Sequence, residues 1–454
     1  MSPSARKNAT FSLLLALGAM LLLSACGSDE PTEESIATTT AAKQVSATPE
    51  KPFSDFEFEP PKSEFTGPLF ELSQDYPTQM PPESEIPGFY ETDFHTDWRT
   101  YMMEVRDYCF EGNTEVDWRV QENKVRPWYH MPWQDYGPKG REGIHGLTRE
   151  AAIKPEQLAT TQKYGKGGAY AVGVYNSFGG YTIGQVWKDH EHPNREFVAK
   201  QGFPKGTVVC KLLFISIPPE VIEAEIPFLD NPIEWQAFTG VSFNGTQRAV
   251  HDLTLIQLDI MVRDERASAG WIFGTYQYNG KLKNPDRWQN LAPVGLMWGN
   301  DPNETANIPE TENGKWPALK PPTETPVNPK LEETVINPNA EELPPTHLGW
   351  NGRLNGPVDN PLSSCMSCHM TASSPEKDLS PLFTGVNERP QAPGSEEWKK
   401  WWLQWFQNVG WKEGKLEGFM GAEYPLDYSL QLSDALQNFY EAEKDVTPKN
   451  PVQR

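Results

Sequence analysis

The sequence is poor in positive charge. Its 40 lysines and arginines stand against 62 aspartates and glutamates, a formal net charge of −22 over 454 residues. That balance argues against nucleic acid or anionic lipid headgroups as partners, while a basic protein would be steered toward such a surface. The same charge also serves simply to keep a protein soluble. Cysteine is scarce, at five residues, so each can be accounted for separately. Long hydrophobic runs are missing too. The stretch from Phe11 to Leu23 falls short of the roughly 20 apolar residues that a spanning helix needs. No internal repeat is visible. What is plentiful is proline, 42 residues, and glycine, 35. They imply much irregular backbone in a chain whose length alone would hold two or three domains.

The first thirty residues fix the compartment. "MSPSARKNATFSLLLALGAMLLLSACGSDE" opens with Arg6 and Lys7, continues through the short apolar run and closes on small residues. That order reads as an export signal over residues 1–25. Leu23-Ser24-Ala25-Cys26 resembles the lipobox of bacterial lipoproteins. The resemblance implies that Cys26 is diacylated and becomes the first mature residue, and two acyl chains suffice for stable anchoring. Gly27 and Ser28 follow with no aspartate directly after the cysteine, which by the same resemblance implies the outer membrane, facing the periplasm. A plain signal peptide or a short anchor helix is the alternative.

In an oxidising compartment disulfides persist. Cys109 and Cys210 form one if the cysteine arithmetic closes; two buried free thiols are the other outcome. Residues 26–88, acidic and rich in Pro, Thr and Ser with few aliphatics, read as a disordered tether. Residues 301–345 share that character and read as a linker or an extended surface insertion. Between them, 89–300 is β-rich. "AYAVGVYNSFGGYTIGQVW" places a turn signal at Gly179-Gly180, and "GTVVCKLLFISI" ends at Pro218-Pro219. "LTLIQLDIMV" alternates around Gln257 and Asp259, and "GWIFGTYQYNGK" pairs a strand with Asn279-Gly280, a short-hairpin signal. Helices flank the strands. One covers "DWRTYMMEVRDYCF". Another starts at Ser395, carries Trp398, Trp401, Trp402, Trp405 and Phe406 on one face, and ends at Gly410. The fold class expected is α+β: a mostly antiparallel sheet with flanking helices and long Pro-rich irregular segments, on which residues 346–454 pack.

"LSSCMSCHMT", Leu362 to Thr371, carries the chemistry. A zinc corner needs four ligands, and there is no second C-x-x-C; His190 and His192 have no thiol partner. A thioredoxin-like dithiol does not need the trailing histidine. C-x-x-C-H is the spacing for covalent haem: two thiols add to the vinyl groups on one porphyrin edge, and the adjacent imidazole reaches the iron. Cys365 and Cys368 are therefore the expected thioethers of one haem c, and His369 the proximal iron ligand. Met420, in the loop "GFMGAEY", is a candidate sixth ligand, with His130, Met131, Met297 and His347 as outside candidates. Arg353 is a candidate partner for a haem propionate.

"GFPKGTVVCKLLF", "LIQLDIMVRDERASAGWIFGTYQYNGK", the C-x-x-C-H motif and "KDLSPLF", with Asp378 and Phe383, occur in that order. Together they resemble the cytochrome P-460 and cytochrome c′-beta family over roughly residues 165–385. The resemblance implies a mostly antiparallel, five-stranded sheet and a poorly ligated distal iron face that binds or oxidises small nitrogen species. In the enzyme branch of that family a strand lysine is cross-linked to the porphyrin, and Lys211 occupies that place; an ordinary strand lysine is the alternative. The chain departs from the family in its added N-terminal region and Trp-rich C-terminal helix.

Three functions are compatible with these residues. One is a lipid-anchored, periplasm-facing c-type cytochrome that transfers electrons or binds a small diatomic ligand. Another is a P-460-type oxidoreductase acting on hydroxylamine or nitric oxide. The third is an envelope scaffold with structural haem.

Overall fold

The computed structural model describes residues 51–243, 245–304, 327–344, 348–375 and 395–446. Cys26 with its signal, His347, Asp378 and Phe383 lie outside the described residues. Among the described residues, no helix is long and apolar enough to cross a membrane.

Nine strands form one sheet in which every pairing is antiparallel: β1 (Tyr129–His130), β2 (Thr148–Ala152), β3 (Gly168–Tyr175), β4 (Val208–Ile215), β5 (Glu234–Gly240), β6 (Arg248–Arg263), β7 (Trp271–Tyr278), β8 (Leu291–Met297) and β9 (Thr334–Ile336). The order is β1-β3-β4-β6-β7-β8-β9, with β2 added to β3 and β5 to β6. The family resemblance implies five strands. The structure adds shorter or marginal ones around the run β3-β4-β6-β7-β8. The helices are α1 (Trp98–Phe110), α2 (Ser177–Val186), α3 (Glu196–Gln201), α4 (Pro219–Glu225), α5 (Cys365–His369), α6 (Glu396–Leu403) and α7 (Leu430–Val446).

Both faces of the sheet are covered, so its strands do not need the one-sided alternation of a half-exposed sheet. On one face Leu212, Leu258, Ile260 and Ile272 pack against Tyr101, Met102 and Val105 of α1. On the other, Val209, Met261, Trp271 and Phe273 pack with Met366, Trp402, Trp405 and Leu432. This corrects the alternation expected of Leu253–Val262, where Asp259 alone is not fully buried. The α1 helix starts where Asp97 accepts a hydrogen bond from Thr100 N at 3.2 Å, satisfying one of the free N–H groups of its first turn. At its other end Cys109 is disulfide-bonded to Cys210 of β4, with Cα atoms 6.3 Å apart.

Several boundaries differ from the sequence expectation, each for a physical reason. Gly179 and Gly180 make no turn: Asn176 caps α2, and both glycines lie inside it. A Cβ on Gly180 would come within 2.4 Å of the Tyr129 ring, so close approach selects the glycine. Asn279-Gly280 is not a two-residue hairpin, because two short 3₁₀ turns intervene between β7 and β8. The tether expected at 26–88 is corrected from Lys51 onward. Phe53 and Leu72 are buried, and Tyr76 Oη donates to His130 O at 2.7 Å. Aromatic rings supply the burial that the missing aliphatics do not. Within 301–345, Thr334–Ile336 pairs with β8, and Asp301 accepts hydrogen bonds from Glu332 N, Glu333 N and Thr334 Oγ1. The Trp-rich helix ends at Leu403, with Gln404–Phe406 in a 3₁₀ turn, rather than at Gly410.

Candidate haem-attachment site

Ser364 builds the helix that carries the motif. Its hydroxyl accepts from Ser367 N at 3.2 Å while Ser364 N donates to Ser367 Oγ at 2.7 Å, a reciprocal cap that starts α5. Met366 and Met370 sink into the core. That leaves Cys365, Cys368 and His369, at i, i+3 and i+4, as the half-buried side of the helix.

The site sits against the sheet. Lys211, Asp259 and Thr275 are register partners across β4, β6 and β7. Thr275 Oγ1 donates to Asp259 at 2.7 Å and lies 3.9 Å from Cys365 Sγ. Gln257 Nε2 reaches both Asp259, at 2.8 Å, and Asp359, at 3.2 Å. Burial and the neighbouring Asp359 push the Asp259 carboxyl up to about 7. Lys211 pairs with Glu150 at 3.2 Å. Burial works against its charge, but Glu150, Asp259 and Asp359 outweigh that and raise its pKa. A lysine held protonated is a poor nucleophile, so this environment favours the ordinary ion-paired role over a porphyrin cross-link.

His369 is aimed by its neighbours. Its Nδ1 lies 2.9 Å from Tyr428 O, so Nδ1 carries the proton and donates it to that carbonyl, leaving Nε2 as the lone-pair nitrogen. The ring packs on Phe273 with centroids 4.9 Å apart. Burial, with Lys211 adding to it, lowers the imidazole to about 4, so it is neutral near pH 7, as a metal ligand must be. The carbonyl comes from an unusual turn: Asp427 and Tyr428 both have positive φ, 48° and 68°. Left-handed backbone costs about 1–2 kcal/mol per ordinary residue. The buried Asp427 carboxylate offsets it by accepting from Trp271 Nε1 at 2.9 Å and Phe203 N at 2.7 Å, bonds worth about 1.5–3 kcal/mol each where a charge is involved.

The donor set discriminates between chemistries. Burial raises Cys368 to about 11 and Cys365 well above the usual thiol value. Reactive dithiols need the opposite, a depressed thiolate pKa. Among the described residues no group of three or more His, Cys, Asp or Glu converges on one point, as a closed zinc site requires. Two free thiols on one helical face beside a neutral imidazole with an open Nε2 fit covalent haem.

The remaining candidates fall elsewhere. Arg353 is 1 % exposed and spends four N–H donors on the carbonyls of Asn300, Trp350, Asp301 and Glu304. Those bonds favour a structural role for the guanidinium over the propionate contact expected from the sequence. Met420 is 57 % exposed on a turn with φ 50°. A thioether ligand is enclosed in a haem crevice, so this exposed position does not favour the sixth-ligand role. His130 is buried with Nδ1 accepting from Ser73 N at 3.0 Å; Met131 and Met297 are buried core residues. Sequence reasoning missed Tyr428, Asp427, Thr275, Glu150 and Asp359, whose contacts surround these candidates. Only Asp259, a lone acid among apolar strand residues, carried a visible signal. Comparison with protein-family profiles, curated proteins and solved structures finds no match for the chain.

Proposed function

We propose that this protein is a monohaem c-type cytochrome, joined to haem through Cys365 and Cys368 and ligated by His369. It would serve electron transfer or diatomic-ligand binding in the periplasm, held to the outer membrane by lipid on Cys26. One observation carries the reading. Helix α5 gathers Cys365, Cys368 and His369 on one face, with Nδ1 of the imidazole held by the Tyr428 carbonyl. When bound, haem supplies a redox-active iron. The chain's own residues do the rest: the two thiols fix the ring to α5, Tyr428 and Phe273 orient the imidazole, and burial keeps it neutral. The antiparallel sheet followed by C-x-x-C-H supports kinship with the cytochrome P-460 and cytochrome c′-beta group. The acidic surface favours a basic redox partner.

A P-460-type oxidoreductase acting on hydroxylamine or nitric oxide is the second reading. Two observations favour it. Met420 is 57 % exposed, and the polar row Lys211, Asp259 and Thr275 faces Cys365. Such a row could hold and move protons for a bound substrate.

Absorption spectra of purified protein, oxidised and reduced, with and without carbon monoxide, test both. Pigment that stays with the polypeptide in acidified acetone, and is lost in Cys365→Ser with Cys368→Ser, is the expected result. A colourless wild-type protein would refute it. A low-spin spectrum indifferent to carbon monoxide selects electron transfer, and high-spin iron that takes up nitric oxide selects the enzyme.

A further inference from the structure

We propose that Asp427 is a positioning residue for His369: its buried carboxylate locks the Asp427–Tyr428 backbone so that the Tyr428 carbonyl meets the imidazole Nδ1, and thereby sets how strongly Nε2 donates to the iron. The potential part of this inference rests on the haem reading above; the backbone part does not.

Two consecutive non-glycine residues at positive φ do not persist without surroundings that over-determine them. Here three elements converge on one side chain. From β7 comes Trp271 Nε1, at 2.9 Å from Asp427 Oδ1. From the turn after α3 comes Phe203 N, at 2.7 Å from Oδ2. From the end of β6 comes Arg263, whose Nε lies 3.7 Å from Oδ2. Room for the carboxylate depends on Gly202, where a Cβ would come within 2.7 Å of Oδ2. Strand β7 acts twice, holding the turn through Trp271 and packing on the imidazole through Phe273, two residues on along the same face. Tyr428 is fixed at its other end as well, its hydroxyl donating to Val409 O at 2.7 Å. The carbonyl therefore has one direction in which to point. A carbonyl accepting from Nδ1–H makes the opposite nitrogen a stronger donor, which favours the oxidised iron.

Asp427→Asn tests this, because asparagine tolerates left-handed backbone yet brings an NH₂ toward donors that need an acceptor. In ¹⁵N-histidine-labelled, reduced protein, the His369 Nδ1–H signal is identified by its loss in His369→Gln. In Asp427→Asn it should exchange with solvent at least tenfold faster. The haem-loaded variant should lose about tenfold of its preference for the oxidised state, a rise of about 59 mV for one electron. Trp271→Phe, which removes one donor and keeps a ring, should move both readouts the same way by less. It alone decides should Asp427→Asn not fold. Lower melting temperatures with exchange and potential unchanged would make Asp427 a structural residue only and overturn the proposal. Wild-type protein without covalent haem would overturn the proposed function, while the exchange measurement would still decide whether Asp427 holds the carbonyl on His369.

Discussion

Replacing Arg353 with alanine separates an anchor from a cofactor contact. In the structure its guanidinium spans Asn300 O at 2.8 Å, Asp301 O at 2.8 Å, Glu304 O at 3.0 Å and Trp350 O at 3.2 Å, with Phe406 stacked 4.7 Å away. It thus ties the exit of β8 to the loop that leads into α5. Burial lowers its pKa to about 10, with Asp301, Glu304 and Glu333 pulling the other way, so it is charged at neutral pH. Hydrogen bonds from a charged donor contribute about 1.5–3 kcal/mol each, but four on one group do not add. Some of the stranded carbonyls would regain water through the cavity. The expected loss is about 4 kcal/mol, near the top of the range for one substitution. Urea unfolding followed by tryptophan fluorescence measures it. The loss should be equal in haem-loaded protein and in the Cys365→Ser, Cys368→Ser background. Arg353→Lys should recover less than half, since an ammonium cannot span all four acceptors. A loss below about 1 kcal/mol accompanied by a shifted haem potential would refute the anchor and favour the propionate role.

Two further outcomes follow from buried groups away from the site. His130 is held down to about 3 by burial and by Arg141, so the folded state keeps it neutral while the unfolded chain takes a proton below about 6.5. Stability from this residue is complete above pH 6.5 and falls as pH drops toward 3, by about 5 kcal/mol at the acid limit. His130→Asn, whose Oδ1 can accept from Ser73 N, should flatten the stability slope between pH 6 and pH 4; an unchanged slope refutes the assignment. The Cys109–Cys210 bond closes a separation of 101 residues, for which the chain-entropy relation gives about 4.7 kcal/mol. Cys109→Ser with Cys210→Ser should lower unfolding free energy by about 3–4 kcal/mol, and an unaltered denaturation midpoint would refute the bond's contribution.

The elements most legible in the sequence are those whose signal is local. The β4 and β7 strands and the α1 helix appear because their apolar periodicity and caps lie within a dozen residues. The C-x-x-C-H spacing is equally local. Glycine misled twice, at Gly180 and Gly280, because close approach to Tyr129 and to Asp230, not turning, selects it; such contacts are made by residues about 50 positions away in sequence. The 51–88 segment misled for a related reason, since its few aromatics find a surface that only the folded sheet provides. The carbonyls that hold Arg353 were not legible, because three of the four lie some 50 residues upstream. Nothing local marks Tyr428, because what it contributes to His369 is a backbone atom.

Cys210 and Lys211 are neighbours on β4, yet one faces α1 and the other the α5 side. A strand has a two-residue period, so slipping β4 by a single position would turn the cysteine toward the α5 side and bury the lysine beneath α1. The bond to Cys109 can close only in the correct alignment. Oxidation therefore proofreads the central sheet, and a chain that passes has already presented the right side chains to the surface where α5 lands.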